Sequence, residues 1–323
     1  MTVAPEFDAI QAARARIAGR VRRTPVLVSE ALDEELGATL FFKCENLQLT
    51  GAFKARGAFN AVLSLTPGLA DRGVVTHSSG NHGAALALAA RSRGIPAYVV
   101  APRTTPASKQ HNMLRYGAQL QLCEPTLAAR QSAADEIAAK TGATLIHPYD
   151  NADVMAGQGT VALELLEQVP GLDVMVCPIG GGGLISGVAV AAHGIDARIV
   201  VLGAEPAGAD DAVRSRSAGV LTPVAQPRSL ADGLLATIAP STFEVIRTQV
   251  QAVATVTEVE IVAAMRRVWE ELKILIEPSS AVPVAALLNG ALHVAGRRVG
   301  VVLTGGNVDL QRLPFLEPQA SSL

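Results

Sequence analysis

Short runs of β-branched or apolar residues, each closing on Gly, Pro or Ser, recur along this chain: VVTHSSG at 74–80, AYVVAP at 97–102, TLIHP at 144–148, DVMVCPIGG at 173–181, RIVVLGAEP at 198–206 and RRVGVVLTGG at 297–306. Between them lie Ala-rich segments with helical spacing, such as NHGAALALAARSRG at 81–94 and GQGTVALELLEQV at 157–169. Strands that are apolar throughout need cover on both faces, and alternating helices supply it, so the pattern predicts an α/β protein built on parallel sheets. Ligands of such sheets gather at the carboxyl ends of the strands. The residues closing the runs are therefore informative: SSGNHG, GGGG, EPAGADD and TGGN. No low-complexity segment and no repeat of fixed period interrupts the alternation.

A chain of 323 residues with 49% hydrophobic content can bury a large core in one or two domains. Its net charge of -2 provides no basic field for nucleic acid or an anionic membrane, which leaves small solutes as the expected partners. Cys44, Cys123 and Cys177 are far apart and form no C-x-x-C pair, so they read as small hydrophobes. Two acids stand in the first eight residues, and no apolar run approaches the roughly 18 residues of a membrane span. The expectation is a cytoplasmic protein.

The stretch CPIGGGGLISG places Gly180, Gly181, Gly182 and Gly183 after a strand and before a helix. Backbone N–H groups there can converge on one anion at the positive end of a helix dipole, a phosphate cradle. A dinucleotide reader requires G-x-G-x-x-G and an acid about 20 residues on. Glu205 suits the acid, but the sixth position is Ile185 counted from Gly180 and Ser186 counted from Gly181. An NAD-dependent dehydrogenase is thus the disfavoured rival. A Walker A loop fails too, because Gly187 is followed by Val188 where lysine is required. A single phosphate monoester remains, and pyridoxal 5'-phosphate carries one while also needing a lysine for its Schiff base. A lone lysine is ordinarily a solvated surface charge. In TGAFKARGA, Thr50 to Ala58, the residues around Lys54 are small enough for a planar ring to lie against the backbone.

The segments KCENLQLTGAFKARGA (43–58), SSGNHGAALA (78–87), HPYDN (147–151), AGQGTVALE (156–164), GGGGLISG (180–187), AEP (204–206), LIEPSSA (275–281) and LTGGNVDL (303–310) together resemble the serine/threonine dehydratase and serine racemase family of fold-type II pyridoxal-phosphate enzymes. The resemblance spans nearly the whole chain and points to the racemase-like and hydroxyaspartate dehydratase subgroup. It implies a tryptophan-synthase-beta-like fold of two parallel-sheet α/β domains, with residues 1–70 plus 148–323 forming a large cofactor-binding domain and 71–147 a small one. By this resemblance Lys54 tethers the cofactor, Phe53 lies near its ring, Asn81 bonds the ring 3-hydroxyl, Gly180 to Leu184 hold the phosphate, and Thr304 faces the pyridine nitrogen. A neutral hydroxyl at that nitrogen leaves the ring a weaker electron sink than a carboxylate would, which suits elimination.

The implied activity is an ammonia-lyase converting L-threonine, L-serine or 3-hydroxyaspartate to a 2-oxo acid and ammonia, with Lys54 as base. The loop Ser78, Ser79, Gly80, Asn81 and His82 is suited to the substrate α-carboxylate. Serine racemases carry a serine at the position of Ser79 as the acid–base group opposite the lysine, so serine racemisation with dehydratase side activity is the alternative. Glu205, Ala209 and Asp211 resemble the subgroup's divalent-cation site, an oxygen shell suited to Mg²⁺, Ca²⁺ or Mn²⁺. Arg130 falls near an arginine that reaches a second substrate carboxylate. Ala84 and Ala236 depart from the racemase pattern. With thirteen residues after Leu310, no C-terminal regulatory domain is expected, and a homodimer is expected from the resemblance. A ligand-binding relative without turnover is a third reading.

Overall fold

The structure, a computed structural model, describes residues 2–315. Among the described residues ten strands form two sheets: β1 Val26–Leu27, β2 Thr39–Cys44, β3 Val74–His77, β4 Ala97–Pro102, β5 Gln119–Cys123, β6 Thr144–Leu145, β7 Val174–Pro178, β8 Val200–Pro206, β9 Ala252–Val256 and β10 Arg298–Leu303. The larger sheet has the order β1-β2-β10-β7-β8-β9 and the smaller β5-β4-β3-β6. Every pairing is parallel except β1 with β2. All four strands of the smaller sheet lie between Val74 and Leu145. The chain's ends, residue 1 and 316–323, fall outside the described residues.

The apolar runs behave as strands covered on both faces. Along β7, Val174 and Val176 enter one apolar cluster with the helices Glu258–Leu272 and Pro278–Leu288. Met175 and Cys177, pointing the other way, join the helices Ala152–Gln168 and Gly183–Ile195 in a second. Those two helices cross at their glycines, where a Cβ on Gly187 would stand 2.3 Å from Met155 O and one on Gly159 2.7 Å from Gly187 O. Any larger residue would push the helices apart and open the core. A third cluster unites Ala55, Ala58, Phe59 and Val62 of the helix Lys54–Ser64 with the helix Asn81–Arg93. Cys44 and Cys177 are buried and Cys123 half-buried, all as free thiols. No helix among the described residues is long and apolar enough to cross a membrane.

Both sheets send the carboxyl ends of their strands into one cleft. The loops after β3 and β10 meet there with the start of the helix Pro278–Leu288, because Asn81 Nδ2 donates to Glu277 Oε1 (2.8 Å) and Asn307 Nδ2 donates to Asn81 Oδ1 (2.9 Å).

Candidate active site

Lys54 owes its position to a backbone zipper. Phe53 N–H donates to Thr304 O (3.0 Å), Gly306 N–H donates to Gly51 O (2.9 Å), and Ala52 bridges Gly305. This TGAF segment turns through left-handed backbone at Thr50 (φ 60°) and Gly51 (φ 75°). Such a conformation strains Thr50, and the contacts around it sustain it: Asn307 Nδ2 donates to Thr50 O (2.8 Å). Lys54 is then the first residue of its helix and reaches the base of the cleft, where its ammonium donates to Pro148 O (2.9 Å). Burial lowers its pKa to about 8, with the nearby carboxylate of Glu277 opposing that shift. The residue is only half-buried, open toward the cleft, while the amine itself lies deep.

The glycine run is poised for an anion. The sheet ladder ends with Ile179 N–H on Ala204 O (2.8 Å), and helical bonding resumes with Ser186 N–H on Gly182 O (3.0 Å). Between them, among the described residues, the N–H groups of Gly180 through Ile185 find no acceptor in the chain. Buried donors without partners are costly, and a phosphate monoester at this helix N-terminus would satisfy them. Side chains are excluded here. A Cβ on Gly181 would stand 2.3 Å from the Tyr149 ring, and one on Gly180 2.9 Å from Leu234 Cα.

The loop after β3 is narrower in its offering than its sequence suggests. Ser78 N–H extends the sheet to Val100 O (2.9 Å), and Ser78 Oγ accepts from Gly80 N–H (3.2 Å) and Gly83 N–H (3.1 Å). The N–H groups left for a ligand are those of Ser79, Asn81 and His82 at the start of the helix Asn81–Arg93. Ser79 is half-buried, and its hydroxyl has no partner among the described residues, so it is not consumed by its own loop.

Thr304 Oγ1 lies 3.0 Å from Ser280 Oγ, which also accepts from Gly305 N–H and donates to Gly305 O, each at 2.7 Å. Ser280 thus fixes the orientation of the Thr304 hydroxyl. Glu277 is buried beside Asn81 with Oε2 unpartnered, and burial raises its carboxyl to about 7. Three imidazoles lie together near Lys54, two of them buried. His147 stacks edge-to-face with His77 (5.2 Å) and Tyr149 (4.6 Å), and burial lowers its pKa to about 4. His82, its Nε2 3.3 Å from Ile146 O, is held well below the usual range by burial and then by Lys54. Arg130 is near enough to His77 and Tyr149 to act on both charges, and its Nε donates to Thr126 O (3.4 Å). Sequence reasoning missed Glu277, Ser280, His147 and Tyr149 as individuals, although the segments LIEPSSA and HPYDN contain them.

Glu205, Ala209 and Asp211 cluster at the far end of β8. Glu205 accepts from the N–H groups of Ala212 and Val213, each at 3.0 Å, and Asp211 Oδ2 accepts from Ile238 N–H (2.8 Å). Burial pushes Glu205 up to about 8, and the neighbouring Asp211 carboxylate adds to the shift. Each carboxylate oxygen retains a lone pair, so the donor set fits a hard cation while already serving to cap the backbone.

Known proteins resemble this chain over nearly its whole length. The family described as pyridoxal-phosphate dependent enzyme matches residues 17–305. The chain is 48% identical over 311 residues to a beta-hydroxyaspartate dehydratase of Paracoccus denitrificans, covering 96% of this chain and 99% of the relative. It is likewise 48% identical over 315 residues to a serine racemase of Arabidopsis thaliana, covering 96% and 95%. The structure of maize serine racemase superposes with a TM-score of 0.94 at 46% identity, covering 95% of each chain.

Proposed function

The chain belongs to the pyridoxal-phosphate dependent enzymes, and from that premise we propose that it is an ammonia-lyase converting a β-hydroxy amino acid to a 2-oxo acid and ammonia. The observation that carries the reading is the Lys54 amine: buried, held among the described residues only by the Pro148 carbonyl, and tuned to about 8. A base poised near the working pH serves proton transfer well.

The residues present fit the cofactor. The free N–H groups of Gly180 to Ile185 receive its phosphate, Lys54 its aldehyde, Asn81 its ring hydroxyl through the remaining amide N–H, and Thr304, oriented by Ser280, its ring nitrogen. Bound there, pyridoxal phosphate supplies an electron sink that acidifies the Cα–H of an attached amino acid. The N–H groups of Ser79, Asn81 and His82 hold the substrate carboxylate, and Lys54 takes the Cα proton. Loss of the β-hydroxyl together with that proton, as water, and subsequent hydrolysis give the oxo acid and ammonia. Phe53, with its ring 5.1 Å from the Lys54 amine, shields that side from water.

The likeness to a beta-hydroxyaspartate dehydratase favours hydroxyaspartate as well as serine and threonine, and we assign recognition of a second carboxylate to Arg130. Serine racemisation is the second reading, favoured by the free hydroxyl of Ser79. Glu205, the Ala209 carbonyl and Asp211 are assigned to a divalent cation of the Mg²⁺, Ca²⁺ or Mn²⁺ class. The domain division at residues 70 and 147, the homodimer and the cytoplasm belong to the same proposal. Incubation with each hydroxy amino acid, with 2-oxo acid and enantiomer ratio as readouts, tests it: oxo acid is expected, and D-serine formation without oxo acid contradicts the lyase reading.

A further inference from the structure

Two groups that this chemistry does not use meet across the mouth of the cleft. Lys109, in the helix Ala107–Arg115 beyond β4, forms an ion pair with Asp232, in the turn Asp232–Leu234. The stem of Lys109 lies over the loop assigned to the substrate carboxylate, since a Cβ on Gly80 would stand 3.2 Å from its Cδ and 3.7 Å from its Nζ. The turn bearing Asp232 packs on the loop assigned to the phosphate, because a Cβ on Gly180 would stand 3.2 Å from Gly233 O. Ser279 Oγ anchors that turn by accepting from Gly233 N–H (3.1 Å). One ion pair thereby links the two ligand-holding loops, which are carried by different sheets.

We propose that Lys109 and Asp232 form a clasp, a pair of positioning residues that holds the cleft closed and sets the Ser79–His82 amides over Lys54. The other bonds across this part of the cleft run through Asn81, to Glu277 and Asn307, and Asn81 is the side chain assigned to the cofactor ring. The clasp is the crossing that does not compete with that role. Its side chains are 17% and 43% exposed. A pair this open to water contributes too little to hold a fold together, but enough to shift a two-state closure several-fold. The inference rests on the loop assignments of the proposed function.

The test uses the cofactor-loaded protein and the variants Lys109→Met, Asp232→Asn, Lys109→Arg and the exchange K109D with D232K. Hydrogen exchange of the Gly80 and Gly83 amides of this loop, which donate to Ser78 Oγ, is expected without substrate to accelerate about three- to tenfold in the two single neutral variants. With substrate, KM rises by a similar factor and kcat stays within about twofold. Lys109→Arg and the charge exchange restore wild-type exchange and KM to within about twofold. Unchanged exchange in both neutral variants, or an exchanged pair as impaired as the sum of the singles, overturns the clasp. The exchange measurement needs no turnover, so a protein inactive on every hydroxy amino acid refutes the proposed function and leaves the clasp to be decided by the amides.

Discussion

Lys54 and Arg56 leave the same helix two residues apart, and the chain treats their charges in opposite ways. Arg56, 1% exposed, donates to Glu45 through Nε (2.8 Å) and Nη2 (2.7 Å) and to Glu164 through Nη1 (3.1 Å) and Nη2 (3.0 Å). Lys43 completes the cluster with bonds to Glu164 (2.5 Å), Thr24 O and Gln168. Two cations face two carboxylates, and the pKa of Arg56 is raised by Glu45 and Glu164 despite its burial. Lys54 donates to a carbonyl and, among the described residues, makes no hydrogen bond to the Glu277 carboxylate that acts on its charge, and its pKa falls through burial. The difference separates two uses of a buried charge: one neutralised in place to fix β2 against two helices, the other left under-paired so that it gives up its proton readily.

Removing either charge should have opposite consequences. Lys54→Ala is expected to lower turnover by at least about 10³-fold without loss of stability, because it removes an under-paired buried amine. Steady-state rates with a denaturant titration check both halves. Arg56→Met strands Glu45 and Glu164 with Lys43 alone, and a loss of about 3–5 kcal/mol in unfolding free energy is expected.

Glu277 is a buried charge of the under-paired kind, with a smaller effect. Its carboxyl is raised from 4.5 to about 7, so the folded protein keeps this proton over a window in which the unfolded chain has released it. Stability from this group is complete below pH 4.5 and is lost as pH rises through 7. Glu277→Gln retains an acceptor for Asn81 and carries no charge. Relative to wild type, it should gain on the order of 3 kcal/mol between about pH 4.5 and about pH 8, measured by urea unfolding at both values. Parallel curves at the two pH values contradict the assignment.

The same contrasts explain why some of the fold and site is legible in the chain alone and some is not. The largely apolar runs β3, β4, β7, β8 and β10 stand out because strands covered on both faces have no regular polar alternation. β5 is hidden, since QLQLC lies at a sheet edge with its residues largely exposed. β2 contains Lys43, whose burial makes sense only beside Glu164 and Gln168, 121 and 125 residues away. β1 is two residues long, too short for a period to register. The glycine run is legible because its function is carried by backbone, and Lys54 because its neighbours are small. Glu277 and Ser280 are not, because a buried carboxylate and a hydroxyl that orients another hydroxyl are defined by partners distant in sequence. The same holds for Lys109 and Asp232, 123 residues apart.

Lys54, among five lysines in the chain, is the one assigned to hold the cofactor, and every step of the proposed reaction depends on that assignment. Borohydride reduction of the coloured protein with subsequent peptide mapping locates the attachment. A pyridoxyl group is expected on the peptide containing Lys54 and on no other. A label on Lys43, Lys109, Lys140 or Lys273, or retention of colour in Lys54→Ala, contradicts it.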